Sequence, residues 1–220
     1  MILKINSNKI QENIFRQTQF IDSSYPKETK KILKNNFDEA LDKVDYCFKF
    51  IKHKNYNDGK NTFFSPMFSD QNLIFLWFLS RVIWLKSQND ILADKIYILN
   101  KMLHSFDCNY KTKLPEIFFV AHGVGVVLGN ATYNNFFFVS QNCTVGANQG
   151  KYPVIMEKVG LGAGSSVIGE CLIGANTSIG SNTQVFERNI GKNKIVMRTN
   201  NGKIIVKKSS KELARNFFKY

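Results

Sequence analysis

Cysteine, histidine and long apolar runs are all in short supply in this 220-residue chain, and each shortage closes off a class of protein. The four cysteines, Cys47, Cys108, Cys143 and Cys171, are far apart. They have neither the CxxC spacing of thiolate metal sites nor the density of a disulfide scaffold, so reduced, buried thiols are expected. Only three histidines are present, His53, His104 and His122. The longest apolar stretch, Asn72 to Leu85, is too short to span a bilayer and carries Arg81. The first residues lack an apolar h-region and a small-residue cleavage site, so no signal peptide and a cytoplasmic location are expected. Acidic residues are outnumbered, 17 against 30 basic, for a net charge of +13. A negatively charged partner would suit that balance. The Lys and Arg are scattered and no nucleic-acid-binding motif accompanies them, so a phosphorylated small molecule is favoured over nucleic acid.

Two hydrophobic periods divide what is present. Residues 27–106 read as helical. Between Lys31 and Lys52 the apolar residues Ile32, Leu33, Phe37, Leu41, Val44, Phe48 and Ile51 recur at helical spacing. A turn-rich stretch, 55–66, follows. Ser69-Asp70 then offers an N-cap for a helix to about Lys86, apolar nearly all round and therefore buried. A third helix spans about Asp90 to Ser105, for a small domain of three or four helices.

After Asp107 the period becomes six. Ile155, Leu161, Val167, Ile173, Ile179 and Val185 follow one another at that interval, as do Leu114, Val120 and Val126, and Tyr133, Val139 and Val145. Six fits neither a helix nor an ordinary strand. It suits short strands joined by tight corners, with one aliphatic per side pointing inward and stacking on its equivalent a coil away. Gly162, Gly174 and Gly180 follow such aliphatics, where a corner can require positive φ. Val159, Ser165, Cys171, Thr177 and Thr183 stand two positions before them, small or β-branched as a narrow interior demands. The expected fold is therefore mainly β with an α-helical N-terminal part: a left-handed parallel β-helix at 107–196, preceded by a helical domain at 1–106 and followed by a basic tail at 197–220.

The segments AHGVGVVLGNATYNNFFFVSQNCTVG and GLGAGSSVIGECLIGANTSIGSNTQV resemble those of the hexapeptide-repeat acyltransferases, within which serine acetyltransferase and its relatives in surface-polysaccharide gene clusters are most similar. The family's DHATGVVIG, QGVTLGG and IGAGAKVLG stretches are the counterparts. The resemblance implies a trimer, or a dimer of trimers, with acetyl-CoA bound between neighbouring prisms; no metal is expected, because a metal site needs several histidines and His53 and His104 lie outside the prism. It places His122 on the family's catalytic histidine and Asp107 on the aspartate that pairs with it. An imidazole with ordinary pKa near 6.5 is suited to take a hydroxyl proton near neutral pH, and a carboxylate behind it fixes the tautomer. Gly146, Ala147, Ala163, Gly180 and Ser181 match cofactor-binding positions, and Lys192, Lys194 and Lys203 are candidates for the phosphates.

Departures from the family concern the acceptor. Ala121 stands where serine acetyltransferases have an aspartate, Tyr152 replaces a histidine within Lys151-Tyr152-Pro153, and the loop before it is shortened. The C-terminal NFFKY lacks the family's terminal isoleucine. The expectation is accordingly an O-acetyltransferase acting on a sugar or surface-polysaccharide hydroxyl, with serine O-acetylation or N-acetylation of an amino sugar as alternatives, and with Ala121, Lys151 and Tyr152 near the acceptor. Phe136, Phe137 and Phe138 cannot all face inward from one strand, so part of the run should meet a partner subunit or the helical domain.

Overall fold

A computed structural model describes residues 1–209 and 211–220. The N-terminal part comprises strand β1 (Ile2–Leu3), helices α1 (Ser7–Ile21) and α2 (Pro26–Lys49), strand β2 (Phe63–Phe64), and helices α3 (Ser69–Ser87) and α4 (Asp90–His104). Helix α1, whose Asn6 side chain caps it by accepting from Asn8 N–H at 2.9 Å, is the element the hydrophobic pattern did not reveal. Its buried apolar residues are only Ile10 and Ile14, too few to stand out. Helix α3 is the axle of this half. It is buried on all sides from Asp70 to Ser80 and packs on α2, α4 and the first strand of the β part. Among the described residues, no helix is long and apolar enough to cross a membrane.

The β part is a parallel solenoid of three faces, each visited once per coil for about four turns. The first face holds β3 (Phe118–Val120), β6 (Phe137–Val139), β9 (Gly160–Leu161), β12 (Ser178–Ile179) and β14 (Lys194–Arg198). The second holds β4 (Val127–Leu128), β7 (Thr144–Gly146), β10 (Ser166–Ile168) and β13 (Gln184–Phe186). The third holds β5 (Thr132–Tyr133), β8 (Val154–Ile155) and β11 (Leu172–Ile173). Register pairs Val120 with Val139, Val139 with Leu161 and Leu161 with Ile179, so the six-spaced aliphatics form interior stacks. Ile155, Leu161, Val167, Ile173 and Ile179 are fully buried, and so is the accompanying row of Val159, Ser165 and Thr177.

The glycines play a different part from the one their position suggests. Gly162, Gly174 and Gly180 have ordinary φ, and the left-handed corners fall instead on Asn142, Gly164, Asn176 and Asn182. What these three positions require is the absence of a side chain. A Cβ on Gly174 would stand 2.5 Å from the Lys192 nitrogen of the next coil, and one on Gly162 would stand 2.9 Å from that of Ser181.

The segment 197–220 was expected as a basic tail; its described residues, 197–209 and 211–220, are built into the fold. Strand β15 (Ile204–Lys208) pairs antiparallel with β14, and a 3₁₀ turn at Leu213–Asn216 lies across β6 and β9. Leu213 N–H donates to Ser178 Oγ at 2.7 Å, and Gly160 leaves room for the Leu213 side chain. Phe217 then stacks on Phe138 at 3.8 Å, and Phe218 is fully buried. Burial of these aromatics outweighs the charge around them. This strap also answers where the Phe136–Phe138 run goes: Phe137 is buried, Phe138 meets Phe119 and Phe217, and Phe136 meets Phe50, Phe218 and Tyr220, all within one chain. All four cysteines are free and buried, and burial pushes the Cys47 thiol up to about 12.

Candidate active site

Strand register sorts the expected site residues onto the three edges of the prism. His122, Gln141, Ala163 and Ser181 each lie two residues past a mutually paired aliphatic, Val120, Val139, Leu161 and Ile179, on the edge between the first and second faces; the first corner is two residues longer than the others, so that Val124 is the residue directly over Gln141. Ala121 and Gly180 belong to the same edge, one residue earlier in their coils. At about 4.8 Å per coil, His122 and Ser181 are separated along this edge by about 14 Å. Gly146 instead ends β7, and Ala147, Lys151 and Tyr152 follow it on the edge between the second and third faces. Lys192 follows the Ile190 bridge to Ile173 and lies on the remaining edge, while Lys194 opens β14 and Lys203 sits in the β14–β15 turn. One chain therefore brings together His122, Ala121, Ala163, Gly180 and Ser181, and leaves Gly146, Ala147, Lys151 and Tyr152 on the opposite edge of the second face.

Local chemistry holds the first edge. Gly164 N–H donates to Gln141 O and Asn182 N–H to Ala163 O, both at 2.9 Å, so each corner is hydrogen-bonded to the one above. A cleft of about 440 Å³ runs beside them, with Gly162, Ala163, Gly180 and Ser181 on the prism side and Lys211, Glu212, Leu213, Asn216 and Phe217 of the strap on the other. Among the described residues, no group of three or more His, Cys, Asp or Glu is placed to hold a metal ion.

His122 projects from the first corner and is exposed. The hydrogen bonds of Asp107 run elsewhere. Its carboxylate accepts from Tyr97 Oη at 2.5 Å and Lys101 Nζ at 2.6 Å, and its backbone pairs with the β4 strand. Burial opposes ionisation of Asp107, but the bonds from Lys101 and Tyr97 outweigh it and hold the carboxyl below its ordinary value. The carboxylate bonded at His122 belongs to Asp70, whose oxygens accept from the backbone N–H of His122 at 3.1 Å and of Gly123 at 3.4 Å. Asp70 was expected to help cap α3, yet Phe68 is the N-cap residue and offers no side-chain bond. Close by, Asn72 Nδ2 lies 3.0 Å from His104 Nε2, a histidine that sequence position alone sets outside the prism. Burial lowers the His104 pKa, and the Asp70 charge works against that shift. No sequence signal joins Asp70 to His122, because the two are 52 residues apart. On the other edge, Lys151 pairs with Glu170 at 2.5 Å, which raises its pKa, and the Tyr152 ring packs over Gly129.

No family model matches the chain. A serine acetyltransferase of Synechococcus elongatus is 30% identical over 109 residues, which cover 47% of this chain and 45% of the relative. One from Staphylococcus epidermidis is 29% identical over 107 residues, covering 46% and 50%. The chain thus spans about half the length of the curated relatives it matches. Among solved structures, a serine acetyltransferase in complex with cysteine superposes with a TM-score of 0.71 at 15% identity, covering 97% of this chain and 84% of that one. The Neisseria gonorrhoeae serine acetyltransferase gives 0.68 at 17%, covering 94% and 80%. A serine acetyltransferase in complex with CoA gives 0.68 at 16%, covering 90% and 84%. In sequence over about half its length, and in fold over nearly all of it, the chain is similar to serine acetyltransferases, with the same helical part followed by a parallel β-solenoid.

Proposed function

We propose that this protein is an acetyl-CoA-dependent O-acetyltransferase in which His122 is the general base. The observation that carries the reading is the placement of an exposed His122 on the same prism edge as Ala163, Gly180 and Ser181, the last three of which line a cleft. Main-chain groups exposed at small-residue corners suit a pantetheine arm, an amide chain whose polar groups need partners at regular intervals. His122 takes the proton of the acceptor hydroxyl as the oxygen bonds to the thioester carbonyl carbon. It returns that proton to sulfur as the carbon–sulfur bond breaks. Gly146, Ala147, Lys151 and Tyr152 lie on the opposite edge of the second face, so a groove containing both sets needs two chains, one offering each edge. A cyclic homo-oligomer, a trimer in this reading, supplies that arrangement.

Between acceptors, the similarity to serine acetyltransferases favours serine over the sugar hydroxyl expected from Ala121 and Tyr152. The sugar keeps one specific observation in its favour: Ala121, on the His122 edge, has no charge to meet a substrate ammonium group. Thiol release from acetyl-CoA decides between them when serine, an amino sugar, neutral monosaccharides and an acidic oligosaccharide are compared with the wild type and His122→Ala. Serine turnover abolished in the variant supports the leading reading. Saccharide turnover with serine inactive reverses the acceptor, and turnover unaffected by the substitution overturns the general base.

A further inference from the structure

The first corner of the active edge is built unlike those below it. In the second, third and fourth coils the left-handed residue is Asn142, Gly164 or Asn182, each of a type that tolerates positive φ. In the first coil Gly125, with φ 71°, takes that place against Asn142, but the corner is two residues longer and holds a second left-handed residue, His122, with φ 53°. Two contacts from α3 accompany the change. A Cβ on Gly123 would stand 2.4 Å from Leu73 Cδ2, so the corner is pressed against the helix, and Asp70 accepts the N–H groups of both His122 and Gly123. Asp70 is 9% exposed and has no ion pair among the described residues. We propose that Asp70 is the positioning residue of the active histidine: its buried carboxylate holds the corner in a conformation that a non-glycine residue rarely adopts, and so aims the imidazole. This inference rests on the reading of His122 as general base, and it gives the helical half a part in catalysis through α3.

Asp70→Asn in the full-length protein tests it. Active sites are counted by calorimetric titration with CoA, and turnover is expressed per titrated site. Loss of Asp70 should lower that turnover by about tenfold to about 10²-fold, the scale of a displaced catalytic group, with KM for acetyl-CoA within about twofold of wild type. A merely structural residue would reduce the number of sites but not the turnover of each. In a His122→Ala background the same substitution should change nothing further, because the group being aimed is gone. Unchanged turnover per site, or an equal loss in both backgrounds, overturns the proposal while leaving the general base intact. Turnover insensitive to His122→Ala overturns the general-base reading itself. Should Asp70→Asn not fold, Asp70→Ser makes the same comparison.

Discussion

The helical half and the prism bury comparable kinds of residue by opposite means. In the prism each inward side chain meets its own equivalent one coil away, as Val139 does Leu161 and Leu161 does Ile179. In the helical half the partners are unlike and distant. Phe75 of α3 meets Phe37 of α2 with ring centroids at 5.4 Å and Phe64 of β2 at 4.9 Å. The difference teaches where tolerance lies. A repeat spreads its stability over near-identical neighbours, whereas the helical core depends on a few large side chains around one axle.

The comparison is sharpest if chemistry and stability can be damaged separately. His122→Ala should lower acetyl transfer by about 10²- to 10⁴-fold, the usual worth of a general base, while the thermal midpoint stays near wild type. Phe75→Ala should do the reverse. Truncating a fully buried phenylalanine costs about 3–5 kcal/mol, measurable by denaturant unfolding, with turnover per folded molecule retained. A smaller loss is expected from Gly174→Ala in the prism, about 1–3 kcal/mol, because its Cβ would press on the Lys192 backbone and coils can spread only slightly. If Gly174→Ala proves costlier than Phe75→Ala, the repeat is the more brittle half and the contrast fails.

The joint between the halves supplies the mildest test. Asp107 at the start of the prism accepts from Tyr97 and Lys101 of α4, and its pKa lies below the ordinary value. A carboxylate with a depressed folded-state pKa stabilises the fold above its unfolded pKa of about 4, and that contribution is lost as pH falls through the folded value. The thermal midpoint of the wild type should therefore exceed that of Asp107→Asn at pH 7, and the gap should close in acid. The effect should be small, since the group is partly exposed and screened. An equal gap at pH 7 and below pH 3 would remove Asp107 as its source.

Most of the prism could be read in advance because its physics is periodic. From Ile155 to Val185 inward residues recur every six positions and the row two places before them is small, whereas in the first coils Phe118 and Phe137 fill that row on the face under α3. Helices α3 and α4 were readable through their apolar faces, whereas α1 carries too few buried residues to announce itself. The edge carrying the candidate site was partly readable: the six-residue repeat puts Ala163 and Ser181 in equivalent corners, while the corner of His122 is two residues longer and breaks the interval. Asp107 also matched a motif, but its hydrogen bonds go to Tyr97 and Lys101, whose positions a motif does not encode.

What the sequence determined by itself, then, is the solenoid and its interior, because both depend on neighbours at a constant interval along the chain. The tertiary structure alone decided that Asp70 leaves its own helix end for the His122 corner, that the last ten residues strap across the first face, and that the two sets of expected binding residues lie on different edges. The first two of those outcomes arise from contacts between segments separated by 52 residues or more, as Asp70 and His122 are, and Phe138 and Phe217. Such contacts are selected by packing and hydrogen-bond satisfaction in three dimensions, and no local pattern of residues specifies them.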